Sequence, residues 1–224
     1  MSEPFRLVVL GDSIAYGTGA TRVEDGLGPR LAQVLRSEGI DTDLTVLAVP
    51  GAVSRDLGAQ VRRAAPLDAD LAVVVIGAND LARSAMALLQ GPVASARATG
   101  GNEILTAATA ALGAAVSGLR AAGTDVVVVP APDMSSVPFV PPALRPVVRG
   151  ACAVLQQRQA EVAWAHGATV AAVSAELGGA FGSDPSLFSA DRFHPSSAGY
   201  ARIAAALAPT VLTAARDRRD RRAA

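Results

Sequence analysis

The chain has 224 residues, which is enough for one well-buried core and short for two ordinary domains. Its 20 basic residues, all of them arginine, balance 20 acidic residues, so no net charge favours nucleic acid or an anionic membrane as a partner. Because the chain has no lysine, a Walker-type phosphate loop and a lysine Schiff-base enzyme are excluded.

Five short β-branched runs alternate with helical patterns along the chain. The predicted strands are 6–10, 43–49, 71–76, 125–129 and 168–173, and the predicted helices are 24–38, 54–64, 103–122, 143–166 and 196–215. The strands are mostly continuous apolar runs, which is typical of strands buried on both faces. This alternation predicts a parallel sheet covered by helices on both sides, with ligands bound beyond the carboxyl ends of the strands.

Two connections on that ligand side are predicted to be irregular, namely 83–102 and the proline-rich stretch 130–142. We expect both to shape a substrate mouth. Their apolar residues either form an acyl pocket or cover the core; they are Met86, Leu88, Leu89, Val137, Phe139 and Val140. Residues 1–215 are predicted to form one domain, and the charged tail 216–224 is expected to be solvated or to bind an anionic partner.

The apolar runs also indicate where the protein resides. The run before Gly11 is too short for a secretory signal, and no stretch approaches the ~20 apolar residues of a membrane span. We therefore expect a soluble, cytoplasmic protein without stable membrane insertion, unless an upstream leader has been removed. The single cysteine, Cys152, is predicted to be a small buried apolar residue.

Only two histidines are available as general bases. His166 ends a helical pattern before a glycine and is predicted to cap the last carbonyls of that helix. His194 directly precedes Pro195, which places it at a loop-to-helix junction. Asp191 lies three residues earlier, so its carboxylate can accept a hydrogen bond from one imidazole nitrogen while the other nitrogen points into a site. Such a pair alone is a weak signal, because acids and histidines pair on many surfaces.

Ser13 follows the first predicted strand and gives this pair a possible partner. A serine hydroxyl needs a base to take its proton and donors to stabilise the oxyanion that then develops. Gly51 follows the second strand and presents an amide without an obstructing side chain, and Asn79 follows the third with a side-chain amide. Ordinary turn chemistry is the alternative explanation for both residues.

Four blocks of sequence at strand ends together resemble the GDSL-type lipases and esterases, also called SGNH hydrolases. The blocks are GDSIAYG (11–17), VPGAVS (49–54), GAND (77–80) and DRFH (191–194). The resemblance implies an α/β fold, a three-layer α/β/α sandwich with a five-stranded parallel sheet of flavodoxin-like type. It also implies Ser13 as the nucleophile, His194 as the base and Asp191 as its orienting acid. The implied oxyanion hole consists of the Ser13 amide, the Gly51 amide and the Asn79 side chain.

The first block departs from the family pattern, with Ile14 where the name-giving motif has leucine, and Val49-Pro50 stands where many relatives carry a polar residue. Asp12 and Asp80 are expected to accept hydrogen bonds that fix their loops. An α/β-hydrolase is disfavoured because Ser13 follows the first strand and lacks the Gly-x-Ser-x-Gly pattern. The glycines near Ser13 also lack the third glycine of a dinucleotide fold.

The resemblance implies a serine hydrolase that acts on acyl or acetyl esters through a Ser13 acyl-enzyme. The alternatives are an acyltransferase that uses the same acyl-enzyme, a carbohydrate acetylesterase, and a non-catalytic carbohydrate or lipid binder. The expected partner is a small-molecule ester, with no nucleic acid and no cofactor. No metal is expected either, because only one histidine and no cysteine accompany the acids.

Overall fold

A computed structural model describes residues 3–90, 94–138, 140–172 and 175–224, and excludes the side chains of 85–90, 94–101 and 175–176. The strands are β1 Phe5–Gly11, β2 Thr42–Val46, β3 Leu71–Val75, β4 Asp125–Val129 and β5 Thr169–Val170. The α-helices are α1 Ser13–Tyr16, α2 Leu27–Ser37, α3 Leu57–Ala64, α4 Ala78–Gln90, α5 Ala94–Ala121, α6 Arg145–Ala165, α7 Ala175–Ser183 and α8 Ser197–Ala223.

The five strands form one parallel sheet in the order β2-β1-β3-β4-β5. From β1 the chain moves outward to β2 and then returns to β3 on the other side of β1. In open α/β sheets, the crevice beyond the carboxyl ends of two such strands is where ligands bind. Gly11 pairs with Val75, so β1 and β3 end at the same level of the sheet. This order confirms the predicted flavodoxin-like fold and directs attention to the loops after β1 and β3.

Two helical layers cover the sheet. On one face, Val9 packs in a cluster with residues of α2 and α8. On the other face, Val8 packs with residues of α3 and α5. Because successive strand residues point to opposite faces and both faces are covered, the central strands β3 and β4 are almost continuously apolar and buried. The edge strand β2 alternates instead, with Asp43 and Thr45 exposed.

The prediction that 83–102 is irregular was wrong. The chain continues as α4 through Gln90 and as α5 from Ala94, and only 91–93 lie outside the described residues. Gly100 and Gly101 lie inside α5 even though glycine disfavours helices. Since α5 packs against α3, α4 and α6, tertiary contacts outweigh this local preference.

The sequence was also expected to contain no membrane-length apolar stretch, and one is found. Among the described residues, Asn102–Ala121 of α5 is long and apolar enough to cross a membrane, judged by length and composition alone. Leu112, Val116 and Leu119 of this segment are buried in the core against the sheet. The core helix of a globular protein passes the same length and composition test.

The charged tail continues α8, which runs to Ala223 instead of ending near residue 215. Arg222 donates to both carboxylate oxygens of Asp70, at 2.7 and 2.8 Å. Arg221 pairs with Asp125, which lies at the start of β4. The last turns of α8 are therefore ion-paired to the amino edge of the sheet.

Asp70 is expected to matter for stability. Its side chain is only 1% exposed, and it accepts the Arg6 amide at 2.9 Å as well as the Arg222 guanidinium. Asp70→Ala should lower the free energy of unfolding by about 2 kcal/mol, because a buried charged acceptor is removed from its donors. Urea unfolding measures this loss. Glu38→Ala, which breaks the more exposed pair with Arg216, is the control and should cost less than about 1 kcal/mol. Equal losses in the two variants would contradict the assignment.

Candidate active site

Ser13 sits where β1 turns into the one-turn helix α1. Gly11 has a φ of 137°, and a Cβ there would collide with the carbonyl oxygen of Val75, so only glycine fits this strand end. Asp12 is the N-cap of α1, and its carboxylate accepts the Ile14 amide at 3.0 Å. The amide of Ser13 lies in the first turn of α1, where a helix provides no backbone acceptor.

The structure brings Ser13, His194 and Asp191 into one hydrogen-bonded chain. His194 Nε2 lies 2.9 Å from Ser13 Oγ, and His194 Nδ1 lies 2.6 Å from Asp191 Oδ2. A carboxylate at Nδ1 favours the tautomer with its proton on that nitrogen. Nε2 is then free to accept the proton of the Ser13 hydroxyl.

The other oxygen of Asp191 is fully occupied. Oδ1 accepts the Ser189 hydroxyl at 2.7 Å, the Phe193 amide at 2.8 Å and the His194 amide at 2.9 Å. Partial burial acts to raise the pKa of Asp191. The hydrogen bonds from His194, Phe193 and Ser189 outweigh this effect and hold the pKa well below its usual range. Asp191 is therefore ionised at neutral pH, with Oδ2 directed at the imidazole.

Gly19 lets the turn after α1 pack directly against the loop that carries His194. A Cβ on Gly19 would lie 2.6 Å from the carbonyl oxygen of Pro195 and 2.9 Å from the Cβ of His194. The φ of Gly19 is 94°, which L side chains rarely adopt. The glycine-rich turn near Ser13 thus has a packing role that its sequence alone did not indicate.

Asn79 and Asp80, at the start of α4, hold the loop after β2 that contains Gly51. Asn79 Nδ2 donates to the carbonyl oxygen of Ala52 at 2.9 Å, and Asp80 accepts the Ser54 hydroxyl at 2.9 Å. A side-chain amide has two N–H groups, so Asn79 keeps a second donor. Gly51 has a φ of 82°, and nothing lies within 4 Å of the position of its absent Cβ. Both predicted oxyanion donors therefore belong to one hydrogen-bonded pair of loops.

Asn79→Ala tests this part of the site. Removing one oxyanion donor is expected to lower kcat for an aryl ester by about 10² to 10³-fold. Steady-state kinetics with 4-nitrophenyl butanoate measures the loss, and thermal unfolding checks that the lost bond to Ala52 has not unfolded the protein. A folded variant with unchanged kcat would remove Asn79 from the oxyanion hole.

Two buried glutamines support the strand ends, and sequence reasoning missed both. Gln60 of α3 accepts the Gly11 amide at 2.7 Å and donates to the Gly11 carbonyl at 2.9 Å. Gln159 of α6 accepts the Ala131 amide at 2.8 Å and donates to the Ile76 carbonyl at 2.9 Å. These bonds satisfy backbone groups where strand pairing stops. The sequence contained one signal for each glutamine: it is an uncharged polar residue at a position where the helical pattern otherwise places buried apolar residues.

Asp12 is a nearly inaccessible carboxylate beside Ser13, with 1% exposure. Burial raises its pKa to about 6 against the hydrogen bond from Ile14, and the nearby Asp80 carboxylate adds to the rise. As expected from the sequence, Asp12 and Asp80 each accept hydrogen bonds that fix their loops.

This pKa predicts a pH-dependent stability difference for Asp12→Asn. The folded-state pKa exceeds the ordinary 3.8, so the wild-type protein loses stability as the pH rises from that value through about 6. Asparagine carries no charge, and its oxygen can still accept the Ile14 amide. The variant should therefore be more stable by about 3 kcal/mol above about pH 7, and this gain should vanish below about pH 4. Urea unfolding at both pH values measures the gain; an equal difference at the two would contradict this explanation.

A mainly apolar cavity of about 90 Å³ lies beside Ser13 and His194. Its apolar lining includes Ile14, Met134, Leu177, Phe181, Phe188 and Phe193. Phe181 and Phe188 meet edge to face, with ring centroids 5.2 Å apart. Sequence reasoning missed the part of the lining that comes from α7 and from the loop before α8, because no motif marks it.

Six apolar residues were predicted to form an acyl pocket, and two of them have described side chains. Val137 lines the cavity, whereas Val140 is not part of its lining. The side chains of Met86, Leu88 and Leu89, together with all of Phe139, lie outside the described residues. The cavity therefore lies between the proline-rich connection and α7.

The remaining candidate residues lie away from this cavity lining. The backbone amide of His166 caps α6 by donating to the Val162 and Ala163 carbonyls, and its Nδ1 lies 2.7 Å from the Ser117 hydroxyl. Cys152 is buried in an apolar cluster, as predicted. Within the described ranges, no group of three or more histidine, cysteine or acidic residues is placed to hold a metal ion.

The chain is similar to known proteins both in sequence and in fold. A model of the GDSL-like lipase/acylhydrolase family matches residues 9–202. The GDSL-like esterase Rv1075c of Mycobacterium tuberculosis is 30% identical over 202 residues, covering 88% of this chain and 59% of that protein. The chain thus spans less than two thirds of the length of this relative.

Solved structures show the same fold at lower sequence identity. Axe2, an acetylxylan esterase from Geobacillus stearothermophilus, has a TM-score of 0.68 at 18% identity, covering 92% of this chain and 94% of that chain. TesA has a TM-score of 0.68 at 20% identity, covering 93% of this chain and 99% of that chain. By its family match and its fold, the chain belongs to the GDSL-like lipase/acylhydrolase family, one of the SGNH hydrolases.

Proposed function

We propose that the protein is a carboxylic ester hydrolase that works through an acyl-enzyme on Ser13. The observation that carries this proposal is the continuous chain from Ser13 Oγ through His194 to Asp191, with distances of 2.9 and 2.6 Å. Family membership supports ester hydrolysis. Two solved structures of the Geobacillus acetylxylan esterase are catalytic mutants, one of a serine and one of a histidine, each replaced with alanine.

In the first half of the reaction, His194 Nε2 takes the proton of Ser13 as Oγ attacks the ester carbonyl. Negative charge then develops on the carbonyl oxygen and is stabilised by the Ser13 amide, the Gly51 amide and the second N–H of Asn79. Asp191 stabilises the imidazolium that has formed. His194 returns the proton to the departing alcohol, which leaves the acyl group on Ser13.

In the second half, water takes the place of the alcohol. His194 removes a proton from this water as its oxygen attacks the acyl carbon, and the same donors stabilise the second oxyanion. The bond from the acyl carbon to Ser13 Oγ then breaks. Oγ regains the proton from His194, and the carboxylic acid is released.

Covalent labelling tests the proposal directly. A fluorophosphonate reacts with activated serines, so we expect the intact mass to rise by one phosphonyl group, with the modified peptide containing Ser13. Ser13→Ala, treated in the same way, should gain no mass. Turnover of 4-nitrophenyl butanoate should fall in step with labelling. Complete labelling with no loss of turnover, or failure to label the folded wild-type protein, would overturn the proposal.

A further inference from the structure

The apolar cavity beside Ser13 carries an inference about the substrate, which rests on the proposed function. We infer that this cavity binds the aliphatic acyl chain of the ester, and that acyl groups of about four carbons are preferred over acetyl. The inference thus separates this protein from an enzyme that removes acetyl groups from sugars.

The size of the cavity suits a short acyl chain. Its volume is about 90 Å³. A methylene group is close in size to a water molecule, whose share of liquid volume is about 30 Å³. The cavity thus has room for about three carbons beyond the ester carbonyl. An acetyl group would leave most of it unfilled.

The polar side chains in the lining are already hydrogen-bonded or ion-paired within the protein. Apart from Ser13 and His194, the polar side chains there are Asp133 and Ser136. The Asp133 carboxylate pairs with Arg149 at 3.4 Å and accepts the Ser135 amide at 2.9 Å. The Ser136 hydroxyl donates to the Gly178 carbonyl at 3.5 Å. Because these groups already have partners, sugar hydroxyls entering the cavity would lose their hydrogen bonds to water without full replacement.

The acyl part of the ester suits the cavity better than the alcohol part does. The alcohol leaves the acyl carbon halfway through the reaction and must clear the position from which water then attacks. The acyl chain stays attached to Ser13 through both halves. A cavity walled by α7 and by the aromatic pair Phe181 and Phe188 therefore suits the acyl chain.

A series of 4-nitrophenyl esters tests the preference in the wild-type protein. Each further buried methylene is expected to raise kcat/KM about fourfold, so butanoate should exceed acetate by about tenfold or more. Octanoate should bring no comparable further gain. Alkyl acetates with ethyl and butyl alcohols should differ by less than about twofold, because the alcohol does not enter the cavity.

Several outcomes of this series would overturn the inference. One is an acetate ester turned over as fast as the butanoate, and another is faster turnover of fully acetylated xylose. A chain-length dependence found only in the alcohol series would also overturn it. None of these results would affect labelling of Ser13, so failure of this inference is distinguishable from failure of the proposed function.

Two neighbouring glycines of α7 offer a matched pair of variants. Gly178 lines the cavity and Gly179 does not, and a Cβ at either position would meet nothing within 4 Å. Gly178→Leu should fill the cavity and reduce the butanoate-to-acetate ratio of kcat/KM from about tenfold to near one. Gly179→Leu should keep the wild-type ratio.

For each variant, kcat/KM for the butanoate is divided by kcat/KM for the acetate, so that the ratio is measured within one protein. Thermal unfolding checks that both variants are folded. A Gly178→Leu protein that keeps the tenfold ratio would contradict the placement of the acyl chain. A butanoate-to-acetate ratio that falls equally in Gly179→Leu would contradict it too. If Gly178→Leu does not fold, the wild-type ester series still decides the question.

Discussion

Ser13→Ala is expected to lower kcat for 4-nitrophenyl butanoate by about 10⁶-fold, and His194→Ala by a similar factor. The two side chains act as one unit, since His194 Nε2 lies 2.9 Å from Ser13 Oγ and activates it by taking its proton. Without the hydroxyl no acyl-enzyme forms, and without the imidazole the hydroxyl is a poor nucleophile. Residual hydrolysis would come from the oxyanion donors and from substrate binding alone.

The double variant sharpens this expectation. If Ser13 and His194 act together, Ser13→Ala/His194→Ala should be no slower than either single variant, because the second substitution has nothing left to remove. Single-turnover measurements at high enzyme concentration are needed to detect such slow rates. Losses that multiply to give a far slower double variant would show that the two residues act independently, and a Ser13→Ala protein of wild-type rate would exclude the serine mechanism.

Asp191→Asn is expected to lower kcat by about 10⁴-fold while the fold is kept. The reason lies in the two oxygens of Asp191. Oδ1 accepts three hydrogen bonds, from the Ser189 hydroxyl and from the Phe193 and His194 amides, so the asparagine must place its oxygen there. Its NH₂ group then faces His194 Nδ1 and donates to it. The proton of the neutral imidazole is forced onto Nε2, which can no longer accept a proton from Ser13.

Asp184→Asn is the matched control for this variant. Asp184 is an exposed acid whose carboxylate accepts the amide and hydroxyl of Ser186, in a turn like that of Asp191. Its substitution removes the same charge without touching His194, and we expect kcat within about twofold of wild type, as for surface substitutions in general. If kcat fell by a similar factor in both variants, removal of a negative charge would be enough to explain the loss. The tautomer of His194 would then not be its cause.

The comparison of sequence and structure is clearest at the strand ends. Runs rich in β-branched residues predicted the five strands, and burial on both faces makes the central ones almost continuously apolar. A parallel sheet brings all carboxyl ends to one edge, so the residues after the strands were expected at that edge. The structure then showed that β1 and β3 are neighbours there. The approach of Asp191 to His194 was also predictable, because they lie three positions apart in one loop.

Other features could not be predicted from local patterns. The stretch 83–102 was expected to be irregular because its glycines punctuate the apolar pattern, yet its described residues, 83–90 and 94–102, are helical, and α4, α5 and α6 pack against one another. The tail 216–224 was expected to be solvated, and all of its residues except Arg218 are exposed. Local patterns did not indicate that Arg222 would also pair with Asp70, at the opposite end of the fold from Ser13. Both features depend on contacts distant in sequence.

The sequence by itself determined the alternation of strands and helices along the chain and the types of residue placed where the strands end, because these depend on composition and on spacings within a few residues. Only the tertiary structure decided which helix faces meet at the carboxyl edge. It brought Gln60 to the backbone of Gly11, Gly19 against the loop of His194, and α7 over the apolar cavity. These contacts join residues far apart in the chain, and they depend on how whole helices pack on the sheet, which no short-range pattern specifies.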